Sequence, residues 1–507
     1  MISAYTGSQI RQAEKPYLSA GAGAVLMQRA AYGLANAVVR ELKTRGIRPY
    51  GASVVVLAGK GNNGGDGLFA AAMLAGRGMR ATAVLTAGEG HAGGLAALER
   101  AGGRLHCLSE YNVAELAATA ARADVVIDAV LGTGAQGGLR GPAAQLVERL
   151  QGNRAAVAGF VVACDIPSGV DADTGEANAP VLTAALTVTF GGAKAGLLAD
   201  PGADHAGRVV VIPIGIEDEL PEPALRRLET ADLARLLPQP ARRSHKYSRG
   251  VVGVIAGSQA YPGAAVLACR GALAAGAGMV RYLGPQEPTE LVRHACPEVV
   301  CGPDNVADAH VQAWVVGSGI ADDAHEQLQR VRDAVDTGLA VAADAGALPA
   351  LPEALAPHVV LTPHSGELAR LMERYGAELG RAGVDGSTLA AVRGAAARSG
   401  ATVLLKGATT LVAAPSGAVF SQAEATPWMA TAGSGDVLAG ILGSLLAQHG
   451  DSEAAFAACG IAAEHRWAAL GALAASLHGR AGSLASAGGP VTAGAIAHSV
   501  PEVMRSL

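Results

Sequence analysis

Short, uniformly apolar runs alternate with longer Ala- and Leu-rich stretches through the first part of the chain. Strands are predicted at Ser53–Ala58, Arg80–Thr86, Asp124–Leu131, Phe160–Asp165, Leu186–Phe190 and Arg208–Ile214, with helical segments such as Gly93–Ala101 and Val113–Arg122 between most of them. Strands that lack a polar face are buried on both sides, so the alternation implies a parallel sheet covered by helices front and back. The texture changes after Ile216. Residues 217–249 are charged and punctuated by Pro221, Pro223, Pro238 and Pro240, which reads as a connector and the entry to a new domain. From Gly250 the alternation resumes at Val251–Ala256, Ala313–Val316, Leu339–Ala343, Val359–Thr362, Thr402–Leu405 and Thr410–Ala413. A helix opens near Gly435 and runs through Leu446. Two tandem α/β domains are expected, 1–216 and 241–507, joined by a connector at 217–240.

Composition agrees with that reading and narrows the function. A chain of 507 residues, half of them hydrophobic, is too long for one core and rich enough to build two. With 39 basic against 44 acidic residues it carries no basic footprint for nucleic acid. The six cysteines are irregularly spaced with no CxxC pair, which disfavours a metal cage and suits a reducing compartment. The start, Met1-Ile-Ser-Ala-Tyr-Thr-Gly, lacks a basic segment followed by an apolar core. The most apolar long stretch, Ala264–Leu283, holds Arg270, Arg281 and several glycines, so it does not read as a membrane span. A soluble, cytoplasmic protein is expected.

The candidate chemistry of the first half lies in three loops that follow predicted strands. They are Asn62–Gly67, then Asp128–Gly134 continuing through Gln136–Pro142, and Cys164–Gly175. All three leave the carboxyl edge of the sheet, where ligands bind in such folds. Glycines there let backbone N–H groups approach a phosphate, and a helix N-terminus adds partial positive charge. Asn63, Asp128 and Ser168 offer hard oxygen ligands for a cation. A single glycine-rich turn is equally a tight connection; three polar loops on one edge are harder to explain that way. The glycine spacing is not GxGxxG, so an ordinary dinucleotide site is disfavoured. Asp165 is the candidate acid–base carboxylate, with a turn or cap as its alternative role; Asp171 and Asp173 read as turn formers.

In the second half, Thr431–Gly440 opens the long apolar helix. Its amides form an anion hole for a transferring phosphoryl group, and Asp436 is placed to accept a proton from an attacking hydroxyl. A favourable acid at a helix N-terminus is the alternative reading of Asp436. Lys406, in the strand–turn–strand Leu404–Leu411, is suited to nucleotide phosphates. His364 sits at a strand end, where a histidine on its own is more often a surface residue.

These segments resemble two families. Tyr5-Thr6, Ile10–Glu14, Leu26–Ala30 and the three loops are similar to the NAD(P)H-hydrate epimerase domain over about residues 1–216. The resemblance implies a Rossmann-like α/β sandwich with a mostly parallel sheet, in which Asn63, Asp128 and Ser168 hold K⁺. It further implies that Asn62, Asn63, Gly64, Gly65, Asp66, Gly132, Thr133, Gly134, Ala135, Gln136, Gly137, Gly138 and Asp165 contact a hydrated nicotinamide dinucleotide, whose hydroxyl-bearing C6 is inverted. Residues from about 223 to 507 resemble the ribokinase-like superfamily through Gly433–Asp436. Within it they are similar to the ADP/ATP-dependent NAD(P)H-hydrate dehydratases, through His245-Lys246, Ala256–Ser258, Tyr261–Ala264, Val316–Gly319, Thr362–Glu367, Lys406–Thr410 and Ala432–Asp436.

By that resemblance Ala264, Gly317 or Gly319, His364 and Asp436 face the hydrate, while Lys406, Gly407, Ala408, Thr409, Thr410 and Gly435 hold ADP or ATP with Mg²⁺. Asp165 and Asp436 are the implied catalytic pair, one per domain. Ser318 and Ser365 stand where the family usually has proline. The order of the halves implies bifunctional repair of NADHX and NADPHX by a homo-oligomer, with no nucleic-acid or membrane partner. A small-molecule kinase and a binding module are the rival readings.

Overall fold

The computed structural model describes residues 1–135, 137–152, 158–302, 305–449 and 453–507. The chain forms two compact units, Ser3–Ala224 and a second made of Met1–Ile2 with Leu225–Leu507. In the first unit the strands are β1 (Ile2–Tyr5), β2 (Ser53–Ala58), β3 (Arg80–Leu85), β4 (Arg104–Cys107), β5 (Val125–Ala129), β6 (Phe160–Cys164), β7 (Leu186–Phe190), β8 (Ala193–Lys194) and β9 (Arg208–Ile212). Seven of them form a sheet in the order β4-β3-β2-β5-β6-β7-β9, every pairing parallel. The short β1 pairs with β8 in parallel, Ala4 opposite Ala193.

Both faces of this sheet are covered, as uniformly apolar strands require. Val54, Val56 and Ala58 of β2 enter one core cluster, and Val55 and Leu57 enter another on the opposite face. The helix Gly23–Thr44 buries Leu26, Leu34, Val38 and Leu42 on one stripe against the first cluster. From β2 the chain runs outward to β3 and β4, then returns to place β5 on the other side of β2. Strand order therefore reverses between β2 and β5, and a crevice opens at their carboxyl ends. The six predicted strands are present; β1, β4 and β8 were not predicted. β4 is an edge strand with a mostly exposed surface, so it carries no apolar run to read.

The second unit contains β10 (Leu225–Arg227), β11 (Val251–Ile255), β12 (Met279–Tyr282), β13 (Val300–Cys301), β14 (Ala313–Val316), β15 (Ala340–Ala343), β16 (Val359–Leu361), β17 (Thr402–Leu405), β18 (Thr410–Ala413) and β19 (Val419–Gln422). Their order is β13-β12-β11-β14-β15-β16-β17-β18-β19-β10, parallel except where β18 runs antiparallel to β17 and β19. The stretch 217–240, read as a connector, contains β10 and the helix Thr230–Leu236. Leu228, Leu233, Leu236 and Leu237 of that stretch are in the core of this unit. Its prolines and charges conceal that leucine spacing. The apolar stretch 264–283 divides into most of the helix Pro262–Ala274 and β12, and no described helix is long and apolar enough to cross a membrane.

The predicted long helix spans Ser434–His449 and crosses Pro262–Ala274 at glycines. A Cβ on Gly440 would overlap the Ala268 carbonyl, and one on Gly271 would overlap that of Val437. This close approach sets the N-terminus of Ser434–His449 among the loops that follow β14, β15 and β17.

Candidate active sites

The loops after β2, β5 and β6 leave three adjacent strands and enclose a cleft of about 750 Å³. Of the residues expected to contact the substrate, Asn62, Asn63, Asp66, Gly132, Thr133, Gly134, Ala135, Gly138 and Asp165 line it; Glu14, Arg11, Arg140 and Lys194, not named as contacts from sequence, line it too. Gly64 and Gly65 lie beneath, in the first turn of the helix Asn62–Ala75. A Cβ on Gly64 would overlap the Gly59 carbonyl, which is why the turn is so tight. Gly137 has φ 78°, a conformation that favours glycine, and does not line the cleft. Gln136 lies outside the described residues.

Behind the cleft is a buried oxygen cluster. Ser168 donates its backbone N–H to Asp128 Oδ2 at 2.8 Å and its hydroxyl to Oδ1 at 2.6 Å, and its Oγ accepts from Leu131 N at 2.8 Å. Asn63 Nδ2 donates to the Leu131 carbonyl at 3.0 Å. That leaves Asn63 Oδ1 buried with no hydrogen-bond partner. Burial pushes the Asp128 carboxyl up, against the Ser168 hydrogen bonds, and no basic side chain stands among its hydrogen-bond partners. An orphan amide oxygen beside a buried carboxylate and a hydroxyl is a donor set that fits a hard monovalent cation.

Asp165 follows β6 directly, at φ 68°, an unusual conformation for a residue with a side chain. It is not a helix cap. Its Oδ1 accepts from Lys194 Nζ at 2.5 Å, Thr189 Oγ1 at 3.1 Å and Phe190 N at 3.3 Å, and Thr133 Oγ1 donates to its Oδ2. Burial alone would raise this carboxyl; the Lys194 ammonium and these hydrogen bonds outweigh it and hold the group below the usual carboxylate range. Asp171 is a turn former, its Oδ1 accepting from Asp173 N and Thr174 N at 2.9 Å, whereas Asp173 accepts from Gly7 N on the helix Gly7–Ser19.

In the second unit, Asp436 stands in the first turn of Ser434–His449. Burial, then the neighbouring Asp344 charge, push its carboxyl up to about 6, while Ser318 and Lys406 act in the opposite sense. Lys406 Nζ pairs with Asp344 Oδ1 at 2.7 Å and lies 3.8 Å from Glu367 Oε2. Burial would lower this lysine, but the Asp344 and Glu367 carboxylates hold it above its ordinary value, so it stays charged. Asp344 also accepts from Thr362 Oγ1 at 2.7 Å and Ser318 Oγ at 3.3 Å. A Cβ on Gly435 would lie 3.5 Å from Lys406 Nζ and 3.8 Å from Asp344 Oδ2, which places the helix N-terminus on this ion pair.

Gly317 backs onto the Asp344 carbonyl, whereas Gly319 faces Ala264, at 2.6 Å from a Cβ built on it. His364 is exposed and caps the helix Ser365–Arg374, its Nδ1 accepting from Gly366 N and Glu367 N. Its backbone pairs with that of Lys406, so the residue stands at the rim of the constellation. Gly407 and Ala408 form an exposed turn, Thr409 is buried and Thr410 begins β18.

Residues 23–196 match the model of the YjeF-related protein N-terminus, and residues 252–490 match that of NAD(P)H-hydrate dehydratase. Over 451 residues the chain is 43% identical to the bifunctional NAD(P)H-hydrate repair enzyme Nnr of Mycobacterium tuberculosis, covering 87% of this chain and 89% of that one. The chain belongs to the bifunctional NAD(P)H-hydrate repair enzymes. A second family member, from Thermanaerovibrio acidaminovorans, is 32% identical and spans all of this chain and 99% of its own. Among solved structures, the ADP/ATP-dependent NAD(P)H-hydrate dehydratase of Bacillus subtilis, co-crystallised with ATP/Mg²⁺, aligns with TM-score 0.47 and 25% identity over 55% of this chain and 98% of that one.

Three side chains of this hydrate-repair enzyme that matter to the sites escaped the sequence reading. Lys194 is nearly inaccessible and comes from β8, between glycine- and alanine-rich turns. A lone lysine after Gly191-Gly-Ala was the available signal. Asp344 follows β15, and an acid ending an apolar strand, in Val341-Ala-Ala-Asp, marks the same sheet edge that carries Lys406. Glu14 reaches the cleft from the helix Gly7–Ser19, and nothing local distinguishes it from a surface acid.

Proposed function

We propose that the first unit interconverts the two C6 epimers of hydrated NADH and NADPH around Asp165, and that the second unit dehydrates the S epimer around Asp436 at the expense of ADP or ATP. The observation that carries this reading is one carboxylate per unit beside a glycine-rich helix start: Asp165, buried and paired with Lys194, and Asp436, half-buried next to the Lys406–Asp344 ion pair.

In the second site Asp436, largely ionised near neutral pH, takes the proton of the C6 hydroxyl as that oxygen receives the phosphoryl group. The amides of Gly433–Gly435 and the Lys406 ammonium face the charge that spreads over the phosphoryl oxygens. Phosphate then leaves C6, C5 gives up a proton, and the C5=C6 double bond of the dihydronicotinamide returns. Mg²⁺ bound with the nucleotide would offset its phosphate charge, while Asp344 is paired with Lys406. In the first site Asn63, Asp128 and Ser168 would hold K⁺, which would offset the buried Asp128 carboxylate where the Asn62–Gly67 and Leu131–Gly134 loops meet.

The test is recovery of reduced-nicotinamide absorbance from mixed R and S NADHX with Mg²⁺, K⁺ and either ADP or ATP. Complete, nucleotide-dependent recovery is expected. Asp436→Ala abolishes it, and unchanged recovery in that variant would remove the second assignment. Replacing K⁺ by choline slows conversion of the R epimer and leaves that of the S epimer intact.

A further inference from the structure

Asp165 has no proton to move. Both of its carboxylate oxygens are occupied by Lys194, Thr189, Phe190 and Thr133. The Lys194 ammonium is saturated as well: besides Asp165 it donates to Thr189 Oγ1 at 3.0 Å and to the Phe190 carbonyl at 2.9 Å, and it is 1% exposed. The Thr189 hydroxyl closes the ring by accepting from Lys194 and donating to Asp165. This network fixes Asp165 as a permanent anion. Inverting a hydroxyl-bearing carbon next to a ring nitrogen nevertheless needs a proton delivered to oxygen and recovered again.

Asp66 and Glu14 are the other acids in the cleft wall near Asp165, and of the two only Asp66 has a buried oxygen with no hydrogen-bond partner among the described residues. It sits in the helix Asn62–Ala75, and its Oδ1 is buried with no hydrogen-bond partner. An ionised carboxylate with a buried, unpartnered oxygen is costly, whereas the neutral acid can hold one O–H ready for a ligand. We propose that Asp66 is the proton donor at the C6 hydroxyl of the first site, and that Asp165 serves as the fixed anion beside it. The inference rests on the epimerase reading of this unit.

The electrostatics point the same way. Burial first, then the Asp165 and Glu14 charges, push the Asp66 carboxyl well up, and Lys194 only partly offsets them. Arg11, Lys60 and Arg140 also line the cleft. Two carboxyls held apart in this manner divide acid and anion roles between them.

The step balances without an added reagent other than water. The Asp66 proton passes to the C6 hydroxyl oxygen. The C6–O bond breaks, its electron pair leaving with water, as the N1 lone pair forms N1=C6. The cationic ring then faces the Asp165 anion. Water adds to the other face of C6, and its surplus proton returns to the Asp66 carboxylate through water in the cleft.

The test uses full-length Asp66→Asn and Asp66→Glu, with R-to-S interconversion followed by chromatography and nucleotide-dependent dehydration of the S epimer measured on the same preparations. Asp66→Asn keeps the shape and loses the proton, so interconversion falls about 100-fold or more. Its residual rate loses the solvent deuterium isotope effect of the wild type. Asp66→Glu regains part of both rate and isotope effect, and S-epimer dehydration is unchanged in each variant. Interconversion by Asp66→Asn within about threefold of wild type, far less than general acid catalysis supplies, overturns the proposal. So does loss of interconversion in Asp66→Asn with an unchanged isotope effect. Absence of interconversion in the wild-type protein would instead overturn the epimerase reading itself.

Discussion

Burial and the Asp344 carboxylate hold Asp436 at about 6, where its ordinary value is 3.8. The carboxyl must be ionised to accept a proton, so dehydration of the S epimer rises through pH 6 and levels off above it. The folded chain binds this proton more tightly than the unfolded chain. Stability therefore falls as pH rises from about 4 to 6, and above that range the ionised group costs the folded unit about 3 kcal/mol. Asp436→Asn never ionises. It is expected to lose about a thousandfold in dehydration rate while raising the apparent melting temperature of the second unit, measured by calorimetry at pH 8. A variant that loses activity and melts lower would mean that Asp436 is a structural acid. Ser318 adds a finer adjustment: its hydroxyl draws the Asp436 carboxyl down. Ser318→Ala releases that restraint, so the acid limb of the pH–rate profile moves to higher pH, and an unmoved limb would separate Ser318 from the chemistry.

At the scale of elements, the second site depends on how closely two helices approach. Gly271 and Gly440 let Pro262–Ala274 and Ser434–His449 meet backbone to backbone, and Asp436 lies one helical turn from Gly440. Gly440→Ala pushes a methyl into the Ala268 carbonyl. We expect a loss of about 1–3 kcal/mol in thermal or denaturant unfolding and slower dehydration, with epimer interconversion unaffected. Six strands of each sheet were legible because strands buried on two faces must be apolar throughout, whereas β12, β13 and β19 of the second sheet were not predicted. The glycine loops were legible because tight strand-to-helix turns admit few other residues. Other features were not legible for physical reasons. β4 is exposed, and β10 lies within a charged, proline-rich stretch. Lys194 and Asp344 acquire their roles only when the fold sets them against Asp165 and Lys406, 29 and 62 positions away. His364 was legible as a strand-end residue, but its capping of the next helix depended on backbone geometry that no single residue reveals.

At the scale of the whole molecule, each site takes its residues from one unit. The cleft around Asp165 is lined by residues between Ile10 and Lys194, and the Asp436 constellation draws on residues between Ala264 and Lys406 together with its own helix. Among the described residues, the hydrogen-bond and ion-pair partners of Asp165, and of the Lys406–Asp344 pair beside Asp436, lie in the same unit as the site. The product of the first reaction is a free epimer of the same size as its substrate, so it is able to leave one molecule and enter another. Asp165→Ala then converts only the S half of an epimer mixture rapidly, and Asp436→Ala converts none. Mixing the two variants in equal amounts should restore nucleotide-dependent recovery of the whole mixture, at a rate that rises with the concentration of either partner. If the mixture stops once the S epimer is consumed, although Asp436→Ala alone still interconverts the epimers, the intermediate does not pass freely between molecules. The fused order of the halves would then serve transfer within one chain rather than joint production alone.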